Sequence, residues 1–180
     1  MRHAPIFSVL EENKMKKTAR SVARAAIIAA AYFALCHLQN LLLPGSATWA
    51  IQFRVAEALC VLTLFTTDAI YGLSIGCLLF NVSFAGALPL DFLVGPAATA
   101  LAAWGMYLTR KLRLCKLPIL ALLLPALCNG LLIGWELTVY VGGGFLINSI
   151  YVAIGEAAVL LTLGAVLYGI IIRRQLHRHL

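Results

Sequence analysis

The sequence consists largely of long apolar runs that are separated by short polar segments. Hydrophobic residues make up 62% of the 180 residues, and charged residues only 12%. A soluble domain carries roughly 25% charged residues, so this chain has too little charge for a surface that faces water. In lipid, an apolar run of about 20 residues crosses the bilayer as a helix, because a helix satisfies its own backbone hydrogen bonds. The composition therefore predicts an all-α membrane protein without strands.

Six apolar runs are interpreted as transmembrane helices of one bundle. The third is short for a full crossing, which takes about 20 residues. Flanking basic segments are interpreted as cytosolic tails, at residues 1–20 and 173–180, around one transmembrane domain at 21–172. The expected helices cover residues 21–43, 49–65, 69–84, 91–109, 117–141 and 145–172.

The positions of the basic residues indicate the orientation of the chain. The net charge is +7, and nearly all lysines and arginines lie in groups at residues 14–24, 110–116 and 173–178. Each group adjoins the end of an apolar run, as the positive-inside rule describes. We therefore predict six crossings with both termini in the cytosol. A nucleic-acid-binding protein would instead need a continuous basic face with stacking aromatics.

The second apolar run differs from the others because it carries Gln52, Arg54 and Glu57 within a few residues. Ionisable groups at the edge of the hydrocarbon layer are costly and need a partner or a ligand. We interpret this segment as one wall of a solute site that opens away from the basic termini. The alternative is that Arg54 and Glu57, one helical turn apart, neutralise each other.

Further polar residues gather in the outer halves of the predicted helices. Asn129 and Glu136 are seven residues apart and share a helix face, and Asn148 and Glu156 share another. One alternative is a set of unrelated hydrogen bonds between helices, but their location on one side favours a pocket. The candidate binding residues are Trp49, Gln52, Phe53, Arg54, Glu57, Asn81, Asp91, Asn129, Glu136, Asn148 and Glu156.

The residue types of this pocket indicate a flat, polar ligand. Carboxylates accept from paired N–H groups such as the N1–H and 2-amino group of guanine, and amides pair with a carbonyl edge. Aromatic side chains stack on rings, and the excess of carboxylates also suits a cationic amine. We expect no cofactor. The five cysteines lack C-x-x-C spacing and the histidines do not cluster, so no metal site is expected either.

Small residues recur every four positions at the cytosolic end of the first predicted helix. Ala25 and Ala29 form one row, and Ala26 and Ala30 form another. Such rows let a second helix approach closely in lipid. They favour either packing within the bundle or docking to a separate membrane subunit. Elsewhere, Asp68 is expected to cap the third predicted helix.

Four segments of the chain resemble the QueT family. QueT proteins are substrate-binding S components of energy-coupling factor (ECF) transporters, and the resemblance covers roughly residues 19–172. It implies a six-helix fold in a bacterial plasma membrane that binds a queuosine precursor, which is a 7-deazaguanine base. It also implies a transmembrane coupling subunit, two cytosolic ATPases, and docking through the small residues of the first helix. The segments are IQFRVAEAL from Ile51, DFLVG from Asp91 with Thr99, GWEL from Gly134 with Asn129, and Gly155-Glu156.

The resemblance extends to the family's polar positions, and one residue, Pro96, departs from the pattern. ATP hydrolysis would belong to the partners, since the chain has no Walker A loop. Three alternatives remain: an S component for another vitamin or heterocycle, a stand-alone ion-coupled carrier, and an intramembrane hydrolase that uses the G-x-S-x-G string around Ser74. The matching polar positions are Gln52, Arg54, Glu57, Asn81, Asp91, Asn129, Glu136 and Glu156.

Overall fold

A computed structural model describes residues 6–44, 46, 52–114 and 117–176, with side chains from Met15 onward. Within these residues the prediction of an all-α fold is confirmed, and the one extended pairing is a bridge between Leu114 and Leu117. The helices, in chain order, are α1 (Ile6–Leu42), a 3₁₀ helix (Val55–Leu64), α2 (Asp68–Ser83), α3 (Asp91–Thr109), α4 (Ile119–Tyr140), α5 (Phe145–Val159), a π-helical turn (Leu160–Gly164) and α6 (Ala165–Arg173).

Four helical segments are long and apolar enough to cross a membrane. They are Met15–Leu42 within α1, all of α3, all of α4, and the continuous stretch Phe145–Arg173. The 3₁₀ helix and α2 have 10 and 16 residues. They extend roughly 20 and 24 Å, against about 30 Å of hydrocarbon. The six crossings stay a prediction, as do the cytosolic termini and the limits of the two basic tails. Helix α1 begins at Ile6, which lies within the predicted N-terminal tail.

The 3₁₀ helix is the central element of the bundle. Helices α1 to α5 pack side by side in chain order, and the 3₁₀ helix contacts every other helical segment. The predicted helix over residues 49–65 is therefore wrong in two respects among the described residues. Gln52–Arg54 precede the helix in non-helical backbone, and the helix from Val55 is wound as 3₁₀ rather than α.

The two ends of the bundle differ in composition. We call the end formed by residues 52–54, the loop 84–90 and the turn 141–144 the site end. The opposite end, which we call the basic end, contains the start of α2, the segment 110–113 and the end of α6. All the described arginines and lysines lie toward the basic end except Arg54, which lies at the site end.

One of the two rows of small residues packs inside the bundle. A Cβ added at Gly72 would lie 2.7 Å from the carbonyl oxygen of Ala25, and one at Gly76 would lie 2.8 Å from that of Ala29. Glycine is therefore required on α2 for this close approach to α1. The alanines of the other row, Ala26 and Ala30, remain exposed on α1.

Asp68 at the basic end joins α1 to α2. Its carboxylate accepts a hydrogen bond from Ser21 Oγ and lies 3.6 Å from Arg24 Nη1. Thr67 occupies the N-cap position of α2 without a side-chain cap bond, and the N–H of Asp68 donates to Thr66 Oγ1 at 3.2 Å. The prediction that Asp68 caps this helix is therefore wrong, because the carboxylate binds a neighbouring helix instead.

Candidate functional site

A cavity of about 190 Å³ opens at the site end of the bundle. Gln52 and Arg54 line it from the segment before the 3₁₀ helix, and Asp91 lines it from the first turn of α3. A larger groove of about 690 Å³ lies between α2 and α3, but its walls are almost entirely apolar. The remaining lining residues of the site-end cavity are Gly86, Leu88, Ile133, Leu137 and Val141.

The backbone of residues 52–55 is held on both sides by neighbouring helices. From α1, Gln39 Nε2 donates to the carbonyl oxygen of Phe53, and Gln39 Oε1 accepts from the N–H of Val55 at 2.8 Å. From α5, Gly155 packs so closely that a Cβ there would collide with the carbonyl oxygen of Gln52. These contacts fix the direction in which the lining side chains leave the backbone.

Two buried polar atoms of the cavity wall, Gln52 Oε1 and Arg54 Nε, have no hydrogen-bond partner among the described residues. Both carboxylate oxygens of Glu136, which adjoins the wall residue Leu137 on α4, also lack a donor there. Gln52 is 4% exposed, Arg54 8% and Glu136 0%. A buried polar atom without a partner costs about 1–3 kcal/mol, and more when it is charged. A ligand that supplies the missing partners would remove that cost.

Two carboxyl groups and one guanidinium meet at this site. Asp91 Oδ2 accepts from the N–H of Leu88 at 2.6 Å, which holds the loop 84–90 against α3. Glu136, on α4, lies directly beside the carboxyl group of Asp91 and within electrostatic range of Arg54. The site therefore offers acceptors from two helices beside a single cation.

Glu57 lies deeper in the bundle and does not form the local ion pair with Arg54. Its Oε1 accepts from the hydroxyl of Tyr32 at 2.5 Å, and its Oε2 accepts from Cys60 Sγ at 3.0 Å. Among the described residues, Arg54 is within electrostatic range of Glu57 but forms no ion pair with it. Mutual neutralisation of these two residues does not explain their presence.

Asn129 and Glu156 form a second deep contact, which joins α4 to α5. Asn129 Nδ2 donates to Glu156 Oε1 at 3.1 Å, while Glu156 Oε2 is buried without a partner. Arg54 also lies within electrostatic range of Glu156. The structure thus brings four of the predicted acids, Glu57, Asp91, Glu136 and Glu156, around one arginine.

Two predicted binding residues lie outside the cavity wall and hold the scaffold. Asn81 Nδ2 donates to the backbone oxygen of Asp91 at 2.6 Å and so joins α2 to α3. Asn148 Nδ2 donates to Thr138 Oγ1 and to the carbonyl oxygen of Gly142, both at 3.0 Å. Both amides position the site end rather than face the cavity.

The aromatic candidates do not line the cavity within the described residues. Phe53 is 41% exposed, and Trp49 lies outside the described residues. The sequence interpretation also missed three supporting residues: Gln39, Tyr32 and Cys60. Gln39 and Tyr32 were detectable as large polar side chains in an alanine-rich helix, whereas Cys60 gave no signal because thiols are common in apolar cores.

Comparison with known proteins identifies the family. The sequence model of the QueT transporter family matches residues 22–173, which include every described residue of the cavity. The chain belongs to the QueT transporter family. It is therefore a component of a membrane transporter, in agreement with the four described helices that are long and apolar enough to cross a membrane. Searches of curated proteins and of solved structures found no match.

The hydrolase alternative has no geometric support in this QueT family protein. Ser74 lies in the middle of α2, where its hydroxyl donates to the carbonyl oxygen of Ile70 at 2.8 Å. His37 Nε2 contacts Ser83 Oγ at 3.0 Å, at the other end of α2. The strand-to-helix elbow that a nucleophilic serine requires is thus replaced by a continuous helix. Among the described residues, no three His, Cys, Asp or Glu side chains are placed to hold a metal.

Proposed function

We propose that this QueT family protein is the substrate-binding S component of an ECF-type importer. Its substrate would be a queuosine precursor, a 7-deazaguanine base such as queuine or a pre-queuosine base, captured from outside the cell. The observation that carries the proposal is the site-end cavity, whose wall residues Gln52 and Arg54 have buried polar atoms without a partner among the described residues, with the unpartnered carboxyl group of Glu136 beside Asp91. Family membership supplies the transport role.

The donors and acceptors of the cavity suit the edge of a guanine-like base. A carboxylate such as Glu136 accepts two N–H groups in one plane, and the Arg54 guanidinium donates to a carbonyl oxygen. Leu88, Ile133 and Leu137 offer apolar surface for the ring faces. The volume of about 190 Å³ is below the roughly 300–1,000 Å³ of sites for drug-sized ligands, which favours a single small ring system.

The proposed partners are a transmembrane coupling subunit and two cytosolic ATPases in a bacterial plasma membrane. The exposed row of Ala26 and Ala30 suits docking, because small side chains let a partner helix come close. Ala25 and Ala29 pack against α2 and so hold the docking surface of α1 in place. ATP turnover in the partners would drive release of the base to the cytosol.

Ligand identity is tested on the purified full chain by thermal denaturation with a panel of heterocycles. We expect 7-deazaguanines to raise the unfolding temperature and other vitamins to leave it unchanged. A ligand at 100 times its Kd stabilises by about 2.7 kcal/mol, which is easily measured. Stabilisation by another vitamin alone would instead support the alternative of an S component for that compound.

Coupling is tested by uptake of a labelled deazaguanine in cells. We expect uptake to disappear when the coupling subunit is deleted, and uptake that persists would favour an ion-coupled carrier. Ala30→Trp is expected to abolish uptake while the purified protein still binds ligand, because the bulky side chain blocks the partner. Val166→Trp, at a 61% exposed position of α6, is the matched control and should leave uptake intact.

A further inference from the structure

We propose that the groove between α2 and α3 binds an anionic phospholipid, whose acyl chain fills the groove and whose phosphate binds Arg110. The groove has a volume of about 690 Å³ and almost entirely apolar walls. Among the described residues it shares none with the site-end cavity. The inference therefore concerns a second site, and it holds whichever solute the cavity binds.

The groove has the length of one leaflet of a bilayer. Along α3 its wall runs from Ala97 to Tyr107, which is about 15 Å at the rise of a helix. The hydrocarbon core of a bilayer is about 30 Å thick, so one leaflet contributes about 15 Å. On α2 the wall is formed by Thr67, Ile70 and Tyr71, at the basic end. The groove thus extends from the basic end toward the middle of the bundle, as an acyl chain of one leaflet does.

The walls of the groove suit a flexible acyl chain better than a partner helix. Tyr71, Leu101 and Trp104 are exposed, so large side chains flank the half-buried Ala100. Helices that pack closely in lipid use rows of small residues four apart, but here Ala100 is followed at that spacing by Trp104. Tryptophan and tyrosine are also enriched at the depth of lipid head groups. A chain of methylene groups can follow this uneven surface, which favours a lipid as the occupant.

Arg110 places a positive charge at the mouth of the groove. Its guanidinium lies over the ring of Tyr107, with Cζ 3.6 Å from the ring centroid, and Nη1 donates to the carbonyl oxygen of Tyr107 at 2.5 Å. Because Tyr107 lines the groove, these two contacts fix the cation beside it. Arginine has five N–H donors and binds phosphate through two of them at once. Lys111 and Arg113 follow in the same segment and are exposed, so the mouth offers a cluster of cations.

The acid nearest to this mouth is already paired. Among the residues with described side chains, Asp68 is the one acid at the basic end, next to the wall residue Thr67. Its carboxylate accepts from Ser21 Oγ and lies 3.6 Å from Arg24 Nη1, both on α1. Asp68 is thus compensated on the side of α1, which leaves the charge of the 110–113 segment for the head group of a lipid.

The experiment is native mass spectrometry of the purified full chain, titrated in detergent with two lipids that have the same acyl chains. Phosphatidylglycerol is anionic and phosphatidylcholine is zwitterionic. A basic residue near the membrane surface raises the affinity for an anionic lipid about fivefold, so we expect the first phosphatidylglycerol to bind at least about tenfold more tightly than phosphatidylcholine. Arg110→Gln should lower the affinity for phosphatidylglycerol about fivefold and leave that for phosphatidylcholine nearly unchanged. Arg174→Gln, the same change at an exposed arginine beyond α6, should behave as the wild type.

A second pair of variants tests the acyl chain. Ala100→Trp should weaken the binding of both lipids severalfold, because the indole occupies the groove. Ala158→Trp, at a half-buried alanine of α5 outside the groove, is the matched control and should leave both affinities unchanged. Glycerol 3-phosphate carries the phosphate without the chains and should not compete with the lipid.

Three results would each overturn the inference: equal wild-type affinities for the two lipids, a preference for phosphatidylglycerol that survives Arg110→Gln, and competition by glycerol 3-phosphate. A dimer of the chain that Ala100→Trp abolishes would overturn it in favour of a second copy in the groove. If Ala100→Trp does not fold, Arg110→Gln and the comparison of the two lipids still decide.

Discussion

Two clusters of charged side chains lie at opposite ends of this bundle and differ in how well their polar atoms are paired. At the basic end, the carboxylate of Asp68 is bound by Ser21 and Arg24 from the neighbouring helix. At the site end, Arg54 and Glu136 are buried but keep atoms without partners. The comparison teaches that charge within an apolar bundle does not by itself identify a ligand site. Unpaired charge beside a cavity is the feature that supports the proposal of a ligand site at this end.

Removing the guanidinium of Arg54 should have the largest effect on ligand binding. Loss of one partner from a buried charged contact costs about 2–5 kcal/mol, so Arg54→Met should weaken binding by roughly 30-fold or more. The unfolding temperature should change little, because among the described residues Arg54 forms no ion pair that the substitution would break. Calorimetric titration and thermal denaturation measure the two quantities.

Arg24→Met is the matched control for this substitution at the basic end. It should lower the unfolding temperature and leave the ligand affinity unchanged, because Arg24 contacts Asp68 and not the cavity. The comparison between the two ends fails if Arg54→Met binds ligand like the wild type, or if both substitutions impair the same property.

The close packing of Gly155 on Gln52 should give the next largest effect. Alanine normally stabilises a helix by about 1 kcal/mol over glycine, but here its Cβ would collide with the carbonyl oxygen of Gln52. Gly155→Ala should displace residues 52–54 and weaken ligand binding about tenfold by titration. Gly169→Ala, where no heavy atom lies within 4 Å of the added Cβ, should leave affinity unchanged. Equal affinities for the two variants would refute this role of Gly155.

Asp68→Asn should affect stability and not binding. Hydrogen bonds to a charged group contribute about 1.5–3 kcal/mol, so the free energy of unfolding should fall by about that amount or less. Denaturation of the purified protein measures the loss, and titration with a deazaguanine should give the wild-type Kd. A large loss of affinity would show that the basic end is coupled to the cavity.

Tyr32→Phe should have the smallest effect of the series. It removes the hydroxyl that donates to Glu57, a contact worth about 1 kcal/mol. Binding should weaken severalfold, because Glu57 lies below the cavity within electrostatic range of Arg54. Tyr71→Phe, on a side chain that is 66% exposed, is the control and should change nothing. If Tyr32→Phe weakens binding as much as Arg54→Met, the ligand binds at the deeper residues around Glu57 and not at the cavity wall.

The class of the fold and the location of the cavity were predictable from the sequence, but the winding of the central helix was not. Apolar runs form helices in lipid, because a helix satisfies its own backbone hydrogen bonds. An ionisable residue such as Arg54 within an apolar run is costly, so it indicates a partner or a ligand. The 3₁₀ winding of Val55–Leu64 arises from tertiary packing, since this segment contacts every other helix. The same apolar pattern would fit an α-helix equally well.

The roles of individual polar residues were harder to predict, because an amide or carboxylate has several uses. Asp68 has the sequence context of a helix cap, yet Ser21 and Arg24 are distant in sequence and close in space. Asn148 shares a helix face with Glu156, but its amide binds the 141–144 turn. Spacing along one helix predicts which residues share a face, and only the arrangement of neighbouring helices decides which of them meet a cavity.

The most direct test of the central claim is an experimental structure of the purified protein with a bound 7-deazaguanine base. We predict that the base occupies the cavity between Gln52, Arg54 and Asp91, with its N–H groups on Glu136 and its carbonyl oxygen on Arg54. A base bound in one of the apolar grooves, with Arg54 and Glu136 paired to other protein groups, would contradict the account.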